Sequence, residues 1–239
     1  MHGQSLRGKI AVITGASRGI GQAAAEALGG AGCHLALASR FSKVDSVREM
    51  AERLNVSVLA SFCDVRDEES VRQFISKVGE RFGRIDILFN NAGTAYPDRQ
   101  VKDIPVEEWR DTLDTNLTGT FLVTKHCLPL MTRGGCIVNN LSVAAKGSFA
   151  GASAYNASKW GALGFTNTLR EELRGRGIRV IALMPGATAT QIWDRFWPDA
   201  PKDKMMRAET IAAAVVHAVS MPEEACADEL VISPTGGSL

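Results

Sequence analysis

The sequence predicts a doubly wound α/β fold, with a mostly parallel seven-stranded sheet carrying helices on both faces. Three observations predict it. Short apolar runs alternate with helix-length segments almost throughout the 239 residues. The runs are brief and rich in Val, Ile and Leu, as strands buried on both faces are. Strand–helix–strand repetition of this kind implies parallel strands joined by right-handed crossovers. No linker, low-complexity stretch or charge block divides the chain, so residues 1–239 read as one domain. That length is enough for a single core that buries most of its apolar side chains.

Strands are expected at Lys9–Thr14, Leu35–Ser39, Val58–Cys63, Ile85–Asn90, Cys136–Leu141, Arg179–Met184 and Glu229–Ile232. Helical patterns fall between them, at Ile20–Gly30, Val44–Leu54, Glu68–Phe82, Val106–Met131, Ala154–Arg174 and Ala208–Ser220. In such a sheet the ligand crevice lies beyond the carboxyl ends of the strands. A motif bears on function when it falls just after a strand.

Composition excludes several classes. A formal charge of +1 gives no reason to expect a nucleic-acid partner. No apolar run approaches the roughly 18 to 20 residues of a membrane helix, and the polar start from Met1 to Lys9 lacks the apolar stretch of a secretory signal. The cysteines are Cys33, Cys63, Cys127, Cys136 and Cys226; they form no C-x-x-C pair. Buried, reduced thiols in a cytoplasmic protein are the expectation. The histidines, His2, His34, His126 and His217, show no metal-binding spacing, so no metal site is expected.

The first strand runs directly into Gly15-Ala16-Ser17-Arg18-Gly19-Ile20-Gly21, and a helix follows. Glycines permit positive φ and close backbone approach, and a helix N-terminus offers N–H groups and partial positive charge to a pyrophosphate. The spacing is G-x-x-x-G-x-G, not the general G-x-G-x-x-G. An acid gripping a ribose 2′-hydroxyl belongs at the end of the second strand. Ser39-Arg40 stands there instead. Arg40, with Arg18 in the loop, would pair with a 2′-phosphate, which points to NADP(H) over NAD(H). The alternative is that Arg40 is a solvated loop residue. After the third strand, Asp64 would accept from an adenine amino group while Val65 packs the ring; a helix cap is the competing role, and Asp67 suits it better. Asn90-Asn91-Ala92-Gly93 follows the fourth strand, where small residues let backbone lie against a ribose and asparagine can lock the turn through its own backbone.

Tyr155-Asn156-Ala157-Ser158-Lys159 opens a helical segment. Tyr155 and Lys159, at i and i+4, share a face with Cβ atoms about 5–6 Å apart. A free phenol, with a pKa of about 10, is a poor base at neutral pH. A cation about 4 Å away, at an effective dielectric near 20, is worth about 4 kcal/mol, enough to lower that pKa by up to roughly 3. The phenol would then titrate near neutrality, where proton-transfer groups work best. A surface Tyr/Lys pair is the plain alternative. Two features weigh against it: Ser142 ends the fifth strand, and Asn116 lies inside a long helix beside Gly119, where asparagine competes with helix hydrogen bonds. A water held between Asn116 and Lys159 would give a proton route to solvent.

These motifs together resemble the short-chain dehydrogenase/reductase family, a Rossmann-fold group, over essentially the whole chain. The matching residues are Thr14-Gly15-x-x-x-Gly19-x-Gly21, Asn90-Asn91-Ala92-Gly93, Asn116, Ser142, Tyr155-x-x-x-Lys159 and Pro185-Gly186. The resemblance implies a catalytic tetrad of Asn116, Ser142, Tyr155 and Lys159. Tyr155 would donate the proton in reduction, Ser142 polarise the carbonyl, Lys159 lower the tyrosine pKa and hold the nicotinamide ribose, and Asn116 support the relay. Pro185-Gly186-Ala187-Thr188-Ala189-Thr190 is similar to the family segment that binds the nicotinamide carboxamide through the backbone at Thr188 and the Thr190 hydroxyl; relatives more often carry Ile or Val at the position of Thr188. The 3-oxoacyl-acyl-carrier-protein reductases are among the members resembled, although the tail Ser233–Leu239 differs from theirs.

Residues of about 188–207 resemble the family's substrate lid. Ile192, Trp193, Phe196, Trp197 and Met205 suggest an apolar substrate wall, with Tyr96, Phe149 and Trp160 as weaker candidates; packing on the sheet edge or on a neighbouring subunit is the equal alternative. Apolar residues on more than one face of Ala154–Arg174, including Ala157, Trp160, Leu163, Phe165 and Leu169, suit both the sheet and a subunit interface, so a homodimer or homotetramer is expected. The expected activity is hydride transfer between NADP(H) and a small carbonyl or secondary-alcohol substrate. The competing readings are an NAD-dependent alcohol dehydrogenase and a dinucleotide-sensing protein without turnover.

Overall fold

The computed structural model describes residues 4–40, 52 and 55–237. Seven strands form one sheet: β1 (Ile10–Thr14), β2 (His34–Ser39), β3 (Val58–Phe62), β4 (Ile85–Asn90), β5 (Met131–Asn140), β6 (Arg179–Pro185) and β7 (Glu229–Ile232). Their order is β3-β2-β1-β4-β5-β6-β7, and every ladder is parallel. The helices are α1 (Gly19–Gly30), α2 (Glu68–Phe82), α3 (Val106–Leu113), α4 (Gly119–Cys127), α5 (Ser153–Arg174), α6 (Trp193–Phe196) and α7 (Ala208–Val219). The helix expected over Val44–Leu54 falls, apart from Glu52, outside the described residues.

The two faces follow from the strand period of two. Ala11, Ile13, Phe89, Val138 and Leu183 point to one side, where α1 and α7 cover them. Val12, Leu88, Ile137 and Val180 point to the other, towards α2, α4 and α5. The chain runs outward from β1 to β3 and returns to β4 on the far side of β1. The reversal opens the crevice at the carboxyl ends of β1 and β4.

Local chemistry sets the boundaries. Asp67 caps α2 by accepting from the N–H groups of Glu69 and Ser70, and Gly83 ends it at φ +73°. The single helix expected over Val106–Met131 is broken instead. Asp114–Thr118 forms a π turn, closed by the Gly119 N–H on the Asp114 carbonyl. A Cβ at Gly119 would stand 2.7 Å from Val65 Cγ2, so only glycine lets this turn approach the β3 loop. The helix then ends at Cys127, because Pro129 has no N–H to continue it, and Met131 already belongs to β5.

Candidate active site

The sheet's carboxyl edge opens into a cleft of about 1130 Å³. Its floor begins with the loop after β1. Gly15 (φ +63°) and Gly19 (φ +55°) adopt the left-handed conformation that glycine supplies freely. Gly21 does not line the cleft but packs behind it: a Cβ there would lie 2.3 Å from the Gly15 carbonyl oxygen and 2.4 Å from Asn91 Nδ2. No side chain caps the start of α1, so its first backbone N–H groups are offered to the cleft. Ser17, Arg18, Gly19 and Ile20 line this end.

The loop after β4 is clipped to the glycine loop. Thr14 Oγ1 accepts from the N–H groups of Asn91 (2.9 Å) and Ala92 (3.0 Å), while Asn91 Nδ2 donates to the carbonyls of Thr14 and Gly15. Asn140 Nδ2 in turn donates to Asn91 Oδ1. Asn91 thus locks a neighbouring strand end, rather than only its own turn as the sequence suggested. Asn91, Ala92 and Gly93 line the cleft, as do Arg40 and Val65. Asp64 departs from expectation. Its carboxylate is engaged by the Arg66 side chain (2.9 Å from Nε) and backbone N–H, and it lies outside the cleft wall. The guanidinium beside it holds this carboxyl below the usual range.

Tyr155 and Lys159 stand one turn apart on α5, with Lys159 Nζ 5.6 Å from the phenol ring centre. Ser142, just beyond β5, lies near enough to the phenol to pull its pKa downward, and its Oγ accepts from Ala144 N–H at 3.1 Å. Lys159 Nζ donates to the Asn140 carbonyl at 3.0 Å. All three side chains line the same cleft. The electrostatics correct one expectation. Burial pushes the Tyr155 phenol above its ordinary value, against the downward pull of Ser142, and pushes Lys159 down to about 8. Desolvation disfavours the charged form of both groups and outweighs their proximity.

Asn116 sits on the π turn, buried, outside the cleft wall. Its Oδ1 accepts from Thr94 N–H (2.8 Å), and its Nδ2 donates to the Thr94 carbonyl (3.0 Å) and to Ser158 Oγ (2.9 Å). Ser158 Oγ in turn donates to the Tyr155 carbonyl at 2.7 Å. The amide therefore ties α5 to the β4 loop and makes no direct bond to Lys159. Asn156 secures the other side by donating to the carbonyls of Ala144 and Gly147. Sequence reading passed over Thr94, Asn140, Asn156 and Ser158 as functional supports. The signal was present for Asn156 and Ser158, polar residues between Tyr155 and Lys159 in the same helical turn.

Pro185 at the end of β6, and Gly186, Thr188 and Thr190 beyond it, line the cleft. Thr190 faces Gly19 across it, 3.1 Å from where a Cβ would be. Thr188 pairs with Met206 as a short bridge, and its carbonyl accepts from Trp193 Nε1 at 2.8 Å. The lid brings Ile192, Trp193, Phe196 and Trp197 to the cleft, joined by Phe149. Phe196 lies 6.1 Å from the Tyr155 ring. Met205 is buried and does not line the cleft. Tyr96 does not line the main cleft, and Trp160 stands away from it, half exposed, donating to the Gly147 carbonyl.

The glycine cradle, the uncapped helix start, the two arginines at one end and the phenol at the other fit a phosphorylated dinucleotide. The comparisons with known proteins agree with that geometry. The model of the short chain dehydrogenase family matches residues 9–201, so the chain belongs to that family. It is 34% identical to sulfoacetaldehyde reductase 2 of Chromohalobacter salexigens, covering 95% of this chain and 94% of that protein. It is 37% identical to a 3-oxoacyl-[acyl-carrier-protein] reductase of Synechocystis sp., covering 79% of this chain and 77% of that protein. Among solved structures it is similar to a short chain dehydrogenase from Burkholderia cenocepacia in complex with NADP. The TM-score is 0.88 at 31% identity, over 97% of this chain and 98% of that one. Among the described residues no helix is long and apolar enough to cross a membrane, and no cluster of acidic, His or Cys residues could hold a metal.

Proposed function

We propose that this chain is an NADP(H)-dependent oxidoreductase that reduces a carbonyl, or oxidises the matching secondary alcohol, of a small molecule. One observation carries the reading: Tyr155, Ser142 and Lys159 stand together on the wall of the cleft whose other end is the glycine loop, with Lys159 Nζ 5.6 Å from the phenol ring centre. The nicotinamide, when bound, supplies or accepts the hydride. Tyr155 gives its proton to the carbonyl oxygen, and Ser142 donates a hydrogen bond that polarises the same oxygen. A half-buried phenol whose pKa is raised by desolvation holds its proton at neutral pH and can give it to the carbonyl oxygen. Lys159, at about 8, is still largely cationic at pH 7 and steadies the phenolate as it forms. Asn116 positions the helix carrying Tyr155 and Lys159 through Ser158.

Gly15, Ser17, Gly19 and Ile20 would cradle the pyrophosphate, Asn91, Ala92 and Gly93 would lie along the ribose, and Val65 would pack the adenine. Pro185, Gly186, Thr188 and Thr190 would meet the carboxamide. Arg40 and Arg18 would hold a 2′-phosphate, which is the ground for NADP(H) over NAD(H). A homodimer or homotetramer is part of the proposal. Trp160 and Phe121 are exposed on α5 and α4, and an apolar face of this kind suits a second copy. The free thiols, four of them buried, fit a cytoplasmic setting.

The test is NADPH and NADH oxidation against small ketones, sugars, quinones, steroids and 3-oxoacyl thioesters. The wild type should consume NADPH in preference to NADH, and Arg40→Asp should swing that preference towards NADH by tenfold or more, about the worth of a charge-assisted hydrogen bond. Tight NADPH binding with no consumption across the panel would favour a dinucleotide sensor instead.

A further inference from the structure

Arg195 lies on α6 and lines the same cleft as Tyr155. Its guanidinium carbon sits 3.5 Å from the centre of the Tyr96 ring, close enough to be stacked on its face. Tyr96 is itself fixed. Its hydroxyl donates to Asp111 Oδ2 at 2.9 Å, and Asp111 Oδ1 accepts from Arg66. The platform under Arg195 therefore cannot swing away without breaking a partly buried chain of polar contacts. A guanidinium on an aromatic face directs N–H groups outward from its edge, although Arg195 also acts on the Tyr96 hydroxyl, whose pKa it pulls down. The neighbouring lid charge is already spent, because Asp194 pairs with Lys202. Among the described residues Arg195 makes no salt bridge. The next residue, Phe196, lies 6.1 Å from the Tyr155 ring. The cation and the phenol thus share one cleft, with the lid helix that carries the cation packed beside the phenol ring.

From this arrangement we infer that Arg195 recognises a carboxylate on the substrate, held at the mouth of the cleft while the carbonyl reaches Tyr155 and Ser142. The inference rests on the oxidoreductase reading above and narrows it to short oxo acids. A planar carboxylate matches the outward fork of the guanidinium, which an uncharged ester cannot do. Asp98 lines the same cleft and is the competing partner. Were it to close on Arg195, acids would gain nothing from the lid.

The experiment measures NADPH oxidation with ω-oxo carboxylates of about three to six carbons, each beside its methyl ester. The wild type should favour the acid by about tenfold or more in kcat/KM. Arg195→Met should erase that preference through KM, leaving the ester within about threefold of wild type, and Arg195→Lys should keep part of it. Equal use of acid and ester by the wild type would overturn the proposal. So would an equal loss on both in Arg195→Met, which would leave Arg195 only a clamp for the lid. A readout without turnover separates this from the parent reading. In Tyr155→Phe with NADPH present, 4-oxobutanoate should alter the fluorescence of Trp193 and Trp197, its methyl ester should not, and Arg195→Met should abolish the response. That result, with no carbonyl reduced by the wild type, would sink the reductase and leave the subsite standing. Reduction without acid preference would sink the subsite alone.

Discussion

Lys159 is an amine enclosed by protein, and its stability contribution follows from that burial. Its folded pKa is about 8 against an ordinary 10.5. Between these values the unfolded chain binds the proton more readily, so stability rises with pH across that window. Below about pH 8 both states are protonated and the penalty is fully present, at most about 3 kcal/mol. Denaturant unfolding of wild type and Lys159→Met, followed from pH 8 to 10.5, should show the wild type gaining on the variant as pH rises. A constant difference would contradict the burial. At this scale the sequence exposed the reactive types plainly. Tyr155 and Lys159 at i and i+4, with Ser142 after a strand, needed only helical spacing and the crevice rule. The direction of the tyrosine shift was not legible. It depends on how much protein encloses the phenol, and residues far apart in the chain supply that enclosure.

Among the elements, β1, its glycine loop and α1 form the most constrained unit. Gly21 has no room for a side chain, since Gly15 and Asn91 are held by their own hydrogen bonds. Gly21→Ala should cost about 1–3 kcal/mol through overpacking, which a melting experiment would read as a fall of several degrees. It should also weaken NADPH binding, because the loop must shift to admit the methyl group. Unchanged melting and affinity would mean that the loop is softer than its contacts imply. Strand and helix positions here were largely legible, as Val/Ile/Leu runs and 3.6-residue periods have local causes. The break in Val106–Met131 was partly so: Pro129 marked the end, while the π turn at Asn116 answers to Thr94 and Ser158. Those partners lie 22 and 42 residues away. The pairing of Asp64 with Arg66 was not legible either, because it depends on local side-chain geometry that strand order does not convey.

The whole molecule assembles the site from loops that the sheet order brings to one edge. The glycine loop, the β4 loop, Ser142 and the Thr188 segment each follow a different parallel strand, so one crevice collects them all. The crevice rule foretold this collection from the alternating pattern. The lid was less legible, since aromatic residues near a cleft suit a substrate wall and a packing surface equally. The fold separates them, with Trp193, Phe196 and Trp197 on the cleft and Trp160 away from it. The account as a whole depends on Tyr155 moving a proton in that crevice. The most direct measurement pairs NADPH affinity with NADPH oxidation in Tyr155→Phe, using the best carbonyl substrate of the wild type. Affinity should stay within about threefold while turnover falls by a hundredfold or more, roughly the worth of a positioned proton donor. Full turnover in the variant would contradict the mechanism.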